Sequence, residues 1–544
     1  MSNKEKFIAE VEKGYTFEGE SITIGGGLYD KEAVTNSLVK IPLSTLNRHG
    51  LIAGATGSGK TKTLQILAEQ LSAKSVPVLL MDIKGDLSGI AAASAGHPKI
   101  DERHAKIGIP FEAGTSPVEF LSLSEEKGAR LRATVTEFGP VLFSKILALN
   151  DTQSGIVSVV FEYCDNKGLP LLDLDDFKKT LQYIMGDGKD EFQNDYGRMS
   201  TASTGAIMRK IVELQQQDAD LFFGETSFDV EDLCRFDENG KGMVNVIRLT
   251  DLQDRPKLFS TFMLQLLAEI YSTFPEEGDI EQPKLVIFID EAHLVFKKAS
   301  DALMDMLEAM VKLIRSKGVG LFFVTQNPAD IPEDILGQLG LKVQHALRAF
   351  TAKDRKAIKL AAQNYPITEH YDIEQLLTEL GIGEAFVTAL NEKGIPTPLV
   401  HTLLRAPQSR MDVLEDKEID AILKKSALIK KYNDVVDTES AKEMLSEKIT
   451  QAKEAAHKAE MEAQRAKAQK AAEAAKAKRE AKEKAAKAKR AAKKTTTRKR
   501  SSRKKEKSAL ESFMSNTTTR QVGRTIAREL TRGFLGILGI KRRR

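Results

Sequence analysis

Positions 54 to 61 read Gly54-Ala55-Thr56-Gly57-Ser58-Gly59-Lys60-Thr61, a complete G-x-x-x-x-G-K-[ST] loop directly behind the apolar run Leu51-Ile52-Ala53. A loop of this spacing belongs between the end of a buried parallel strand and the start of a helix. There the glycines let successive N–H groups turn inward around phosphate oxygens, and the helix aims its positive dipole end at the same anion. Lys60 then reaches the β- and γ-phosphates and Thr61 offers its hydroxyl to Mg2+. The nucleotide contacts expected from the sequence are Gly54, Ala55, Thr56, Gly57, Ser58, Gly59, Lys60, Thr61 and Lys62. The same pattern calls for an α/β fold with a mostly parallel sheet.

Hydrolysis needs more than the loop: a carboxylate to order the metal and a group to place the attacking water. Asp290 and Glu291 end the apolar run Leu285-Val286-Ile287-Phe288-Ile289. Asp290 is assigned to Mg2+ through its water shell and Glu291 to the water. His293 completes Asp-Glu-Ala-His and reads as a structural or coupling residue. Gln326 follows the apolar strand expected over 320–325 and is placed to sense the γ-phosphate. Arg315, just ahead of that strand, is the first candidate for a cation donated to a neighbouring subunit, with Arg348 and Arg355 as alternatives. A helix-end cation complementing the dipole is its competing role. The segment Met81-Asp82-Ile83-Lys84-Gly85-Asp86 places Asp82, Lys84 and Asp86 at the carboxyl end of a second strand, where open α/β sheets bind ligands.

Around this core the expected organisation is a short N-terminal hairpin region (1–45), a core in two pieces (46–117 and 239–410), an all-helical insertion (118–238), a charged helical linker (411–507) and an amphipathic basic helix (508–544). The hairpin is expected over 15–24, ending in Gly25-Gly26-Gly27. A single solvated Ala/Lys-rich helix is expected over about 440–494, broken by Thr495-Thr496-Thr497. In the last segment Arg520, Arg524, Arg528 and Arg532 recur every four residues beside Val522, Ile526 and Leu530, which suggests a latch between subunits. A membrane-surface or disordered basic end is the alternative. The chain shows neither an apolar run long enough to span a membrane nor an apolar leader, so a cytoplasmic protein is expected. Cys164 and Cys234 lack metal-ligand spacing and read as reduced thiols. The net charge of +4 conceals about +21 from Gln451 onward and about −17 before it.

Taken in order, NRHGLIAGATGSGKTKT, VLLMDIKGDLSG, KLVIFIDEAH and GVGLFFVTQNPADIP resemble the HerA-like branch of the HerA/FtsK P-loop ATPases, and especially bacterial proteins of the YjgR type. The likeness covers most of residues 15–410 and again the last 30. It implies a RecA-like core, homo-hexameric rings with ATP and Mg2+ at subunit interfaces, and ATP-driven movement of DNA, double-stranded foremost, as translocase or helicase. It also supports the roles given to Lys60, Thr61, Asp290, Glu291 and Gln326. HerA proteins proper carry an N-terminal β-barrel that helps dock a nuclease; too few residues precede the loop here for one, which speaks against a nuclease partner. Two other functions fit the residues: a ring ATPase that moves or remodels protein, and an ATP-controlled scaffold whose tail binds nucleic acid.

The charge asymmetry yields a first prediction. Deleting residues 451–507 and rejoining the last segment through a flexible linker should weaken DNA binding more at low salt than at high salt, because lysines and arginines act by counterion release. Equal salt slopes for the two proteins would reduce the tail to a spacer.

Overall fold

The structure is a computed structural model that describes residues 2–488 apart from 253, 279, 299, 435 and 437. Its centre is one sheet built from β1 (Ser21–Tyr29), β2 (Glu32–Pro42), β3 (Gly50–Ala53), β4 (Val78–Asp82), β5 (Val118–Ser122), β6 (Ala129–Arg130), β7 (Val244–Arg248), β8 (Leu285–Ile289), β9 (Val319–Thr325), β10 (Leu341–Gln344), β11 (Glu384–Thr388) and β12 (Val400–Leu404). The order across it is β2-β1-β12-β11-β10-β3-β9-β8-β4-β7-β5-β6. From β10 to β6 every neighbour is parallel. From β10 to β2 every neighbour is antiparallel.

The expected α/β core with a mostly parallel sheet is therefore present. β3, β4, β8 and β9 are buried along their whole length, which is why their sequences are nearly unbroken apolar runs. Alternate residues face two cores. Leu80, Val246, Phe288 and Phe322 meet Leu64, Leu67 and Leu71 of the helix Lys60–Ala73. Leu79, Met81, Ile287 and Phe323 meet the helices Pro256–Thr273 and Asp301–Leu313 and the helical insertion. Register does the rest: Ala53 lies opposite Thr325 and Gln344, and Ile289 lies opposite Met81 and Phe323. The residues that follow these strands consequently emerge at one edge of the sheet.

The structure differs from the sequence expectations in several places. The N-terminal region opens with a helix, Asn3–Gly14, and its hairpin is β1–β2, turned by Asp30 and Lys31, both at positive φ. Gly25, Gly26 and Gly27 lie inside β1 instead of ending it, and the pairing with β2 shifts register on either side of Gly25-Gly26. The region is no appendage, because β1 pairs with β12 and so joins the central sheet. The segment expected to be helical from 118 first adds β5 and β6 to the sheet, and its helices begin with Val135–Ile146. Finally, the long helix Ala441–Ala488 is docked where it starts. Ala441 and Leu445 are buried, Lys442 pairs with Asp175 at 2.9 Å and Lys448 with Glu191 at 3.0 Å. Residues 451–477 are exposed, as their lack of an apolar stripe dictates. The break expected at Thr495-Thr496-Thr497 and the basic helix expected over 508–544 lie outside the described residues.

The β1–β12 seam depends on glycine. A Cβ on Gly25 would lie 2.2 Å from the Leu403 carbonyl oxygen, a backbone atom that cannot rotate away. Gly25→Val should destabilise the chain by about 2 kcal/mol or more, read as a lowered denaturant midpoint. An unchanged midpoint would contradict the seam.

Candidate active site

The loop after β3 is shaped by Gly54, Gly57 and Gly59, with φ of 154°, 77° and 117°. The helix Lys60–Ala73 starts from Gly59 without a side-chain cap, and its first internal bond is Thr63 N–H to Gly59 O at 2.9 Å. The amides ahead of that bond have no partner within the helix and are available to an anion. Neighbouring strands hold the loop: Gly54 N–H donates to Thr325 O at 3.2 Å, Ala55 N–H to Ala346 O at 2.7 Å, and Gly383 N–H to Ser58 O at 3.0 Å. Ser58 Oγ closes the loop on Ala55 O at 2.7 Å.

His345, the residue after β10, braces the loop from below. Its Nε2 lies 2.8 Å from Thr63 Oγ1, and a Cβ on Gly54 would approach its own Cβ to 2.5 Å. Burial, with Lys60 nearby, pushes its pKa down to about 4, so the imidazole is neutral. Sequence reasoning missed this residue; its position at the end of a buried strand was the available signal.

Lys60 is buried and donates to Ala55 O at 3.2 Å. Burial and then the Lys84 ammonium lower its pKa, against the pull of Glu291, Asp290 and Asp86. Lys62, expected among the nucleotide contacts, instead gives its ammonium to the Met411 carbonyl and to Gln65 Oε1. Its main-chain amide lies in the first turn of the helix, where it has no acceptor within the helix.

Thr61 Oγ1 donates to Asp86 Oδ2 at 3.4 Å. Asp86 Oδ1 and Asp290 Oδ2 are both buried and without a hydrogen-bond partner. Burial pushes the Asp290 carboxyl up to about 7, with Lys84 pulling the other way. Orphaned carboxylate oxygens beside a threonine hydroxyl are hard oxygen donors that suit Mg2+, which is commonly held by one or two carboxylates plus substrate phosphates. Among the described residues no group of three or more His, Cys, Asp or Glu could hold a metal without such help. Asp82 serves the backbone instead. It accepts from Gly85 N–H at 2.7 Å, Asp86 N–H at 3.2 Å and Leu87 N–H at 3.1 Å, and so fixes the loop that carries Lys84 and Asp86.

Glu291 occupies a left-handed backbone conformation, φ 47°, a strained state for a non-glycine residue. Its Oε1 forms an ion pair with the Lys84 ammonium. Its Oε2 lies 3.0 Å from His293 Nδ1 and accepts from Gln326 Nε2 at 3.4 Å. Burial works to raise its pKa, but Lys84, His293 and Gln326 together hold it below the ordinary glutamate value, so the side chain is ionised near neutrality.

Lys60, Thr61, Asp290, Glu291 and Gln326 are thus brought together as the sequence suggested. Arg315 is not. It sits in the short 3-10 turn Ile314–Lys317 ahead of β9, at the opposite edge of the sheet, where its carbonyl accepts from Asn47 Nδ2 at 3.5 Å. Arg348 is exposed and donates to Thr378 O at 3.0 Å, and Arg355 is exposed on the helix Ala352–Gln363.

A family model described as "Helicase HerA-like C-terminal" matches residues 29–543. The chain is 24% identical over 403 residues to the DNA double-strand break repair helicase HerA of Sulfolobus acidocaldarius, covering 72% of this chain and 71% of that protein. It is 26% identical over 358 residues to the protein of the same name from Sulfurisphaera tokodaii, covering 64% of each and so less than two thirds of that relative. Among solved structures, the bacterial conjugative coupling protein TrwB superposes with a TM-score of 0.48 at 14% identity, covering 75% of this chain and 94% of that one.

The buried acid at 290 makes stability depend on pH. In the folded chain its proton is held up to about pH 7, whereas the ordinary aspartate value is 3.8. Between those limits the folded state carries the extra proton, so stability falls as pH rises. Asp290→Asn should flatten that slope and, at pH 8 without nucleotide or Mg2+, be more stable by about 2 kcal/mol or more in denaturant unfolding. Equal or lower stability of the variant at pH 8 would refute the assignment.

Proposed function

Because the chain belongs to the HerA-like C-terminal helicase family, we propose that it is an ATP-hydrolysing ring motor acting on double-stranded DNA as translocase or helicase. It is a P-loop ATPase, and the observation that carries the reading is the convergence of Lys60, Thr61, Asp86, Asp290, Glu291 and Gln326 at one edge of a parallel sheet. Lys60 and the amides at the start of the following helix bind the phosphates. Thr61, Asp290 and Asp86 would hold Mg2+, which when bound would supply neutralisation of phosphate charge. Glu291, kept ionised, orients and polarises the attacking water, and Gln326 holds the glutamate and reads the γ-phosphate.

The ring is a homo-hexamer in this reading, with Arg315 donated in trans. Arg315 lies ahead of β9, at the edge away from its own chain's phosphate loop, so the nucleotide it would serve is a neighbour's. The HerA relatives are named as DNA repair helicases, which favours DNA as the substrate. Among the described residues no helix is long and apolar enough to cross a membrane, and a cytoplasmic location is part of the proposal. So are membership of the YjgR-type branch and the use of the basic tail to attract nucleic acid.

ATP turnover measured with duplex DNA, with single-stranded DNA and without DNA tests the substrate. Duplex DNA should stimulate most, and Glu291→Gln should lower turnover about a hundredfold or more while nucleotide still binds. Turnover indifferent to both DNA forms would favour a motor on protein, and a normal rate in Glu291→Gln would remove Glu291 from its role.

A further inference from the structure

Lys84 is a charge that the roles above leave unexplained. It lies in the loop after β4, whose backbone is fixed by the three amides bonded to Asp82, and its side chain reaches across to Glu291. The two partners are unequal. The Lys84 side chain is 36% exposed, whereas that of Glu291 is 4% exposed and keeps His293 and Gln326 on its other oxygen. If the pair parts, the lysine is the member with room to move and the glutamate stays in place.

A phosphate bound beside Lys60 would compete with Glu291 for the Lys84 ammonium. Lys60 and Lys84 approach the same space closely enough that Lys84 ranks second only to burial in disfavouring the Lys60 ammonium. Burial also works against the Lys84 ammonium, and its attraction to Glu291, Asp290 and Asp86 outweighs that penalty. Lys60 and Lys84 share this space with Asp86, Asp290 and Glu291, and of these carboxylates Glu291 is the one that Lys84 holds in an ion pair. A phosphate beside Lys60 offers Lys84 a second, more highly charged partner. While the ion pair lasts, an ammonium sits on Glu291 Oε1, and that oxygen cannot accept a proton from water.

We propose that Lys84 is a phosphate-sensing positioning residue: it pairs with Glu291 in the nucleotide-free and diphosphate states and moves to the γ-phosphate when a nucleoside triphosphate binds, releasing Glu291 to the attacking water. The inference rests on the ATPase reading above and adds a control to it. Glu291 is unmasked only when the phosphate to be cleaved is present.

The test is equilibrium binding of a β,γ-imido triphosphate analogue and of ADP, each with Mg2+, so that no turnover is involved. Lys84→Gln should weaken the analogue about tenfold, the size of one charge-assisted hydrogen bond, and change ADP less than about twofold. Lys84→Arg should restore most of the preference for the triphosphate. Glu291→Gln, which removes the competing carboxylate, should tighten the analogue more than ADP, and that gain should vanish in the Lys84→Gln, Glu291→Gln double variant. Equal effects of Lys84→Gln on both nucleotides, no effect on either, or a gain that survives in the double variant would overturn the inference alone. Failure of the unaltered chain to bind either nucleotide would overturn the ATPase reading and this inference with it.

Discussion

The parallel pairing of β3 between β9 and β10 is the constraint on which the site depends. Because Ala53 faces Thr325 on one side and Gln344 on the other, the phosphate loop, Gln326 and His345 leave the sheet at the same level. The pairing of β8 with β9 and β4 then brings Asp290, Glu291 and the Asp82 loop to that level as well. A slip of one residue would turn every side chain of the shifted strand to the other face and separate these groups. The two apolar cores, one on each face, hold the register.

On this scaffold the chain keeps several charges away from water, and the same desolvation is resolved in different directions. Asp290 yields to it and stays largely protonated up to about pH 7, with one oxygen left without a partner. Glu291, next in sequence, resists because Lys84, His293 and Gln326 surround its carboxylate. Lys60 is pressed from both sides, by burial and by Lys84. Buried charges that are unpaired or only partly paired are unfavourable for folding. Glu291 adds backbone strain at the same point. Such a site is stable only as the minor part of a large, well-packed domain, and it is arranged to gain from a bound cation and polyphosphate.

What could be read in advance was local. The phosphate loop carries its own geometry, and the unbroken apolar runs of β8 and β9 mark strands covered on both faces. Pairings across long stretches of chain were not legible. β12 was not anticipated, and β1 joins it across almost the whole core, so the glycines that permit the approach looked like the end of a hairpin. The insertion was entered too early because β5 and β6 are short and adjoin strongly helical sequence. The same holds for the site: Asp290 and Glu291 announce themselves at the end of a strand, whereas the Lys84–Glu291 pair and the His345 brace exist only after the strands are ordered. Lys62 was grouped with the phosphate ligands by its neighbours in sequence, but the helix turns its side chain toward Met411.

The central claim is that the groups at this edge make one Mg2+–nucleotide site, with Lys60 as its fixed cation. Calorimetric titration of ATP with Mg2+ into Glu291→Gln protein, with and without Lys60→Ala, addresses it without interference from turnover. One nucleotide bound per chain, with affinity lowered at least about tenfold by Lys60→Ala, is the predicted result. Equal affinity in the two proteins would place the nucleotide elsewhere and contradict the account.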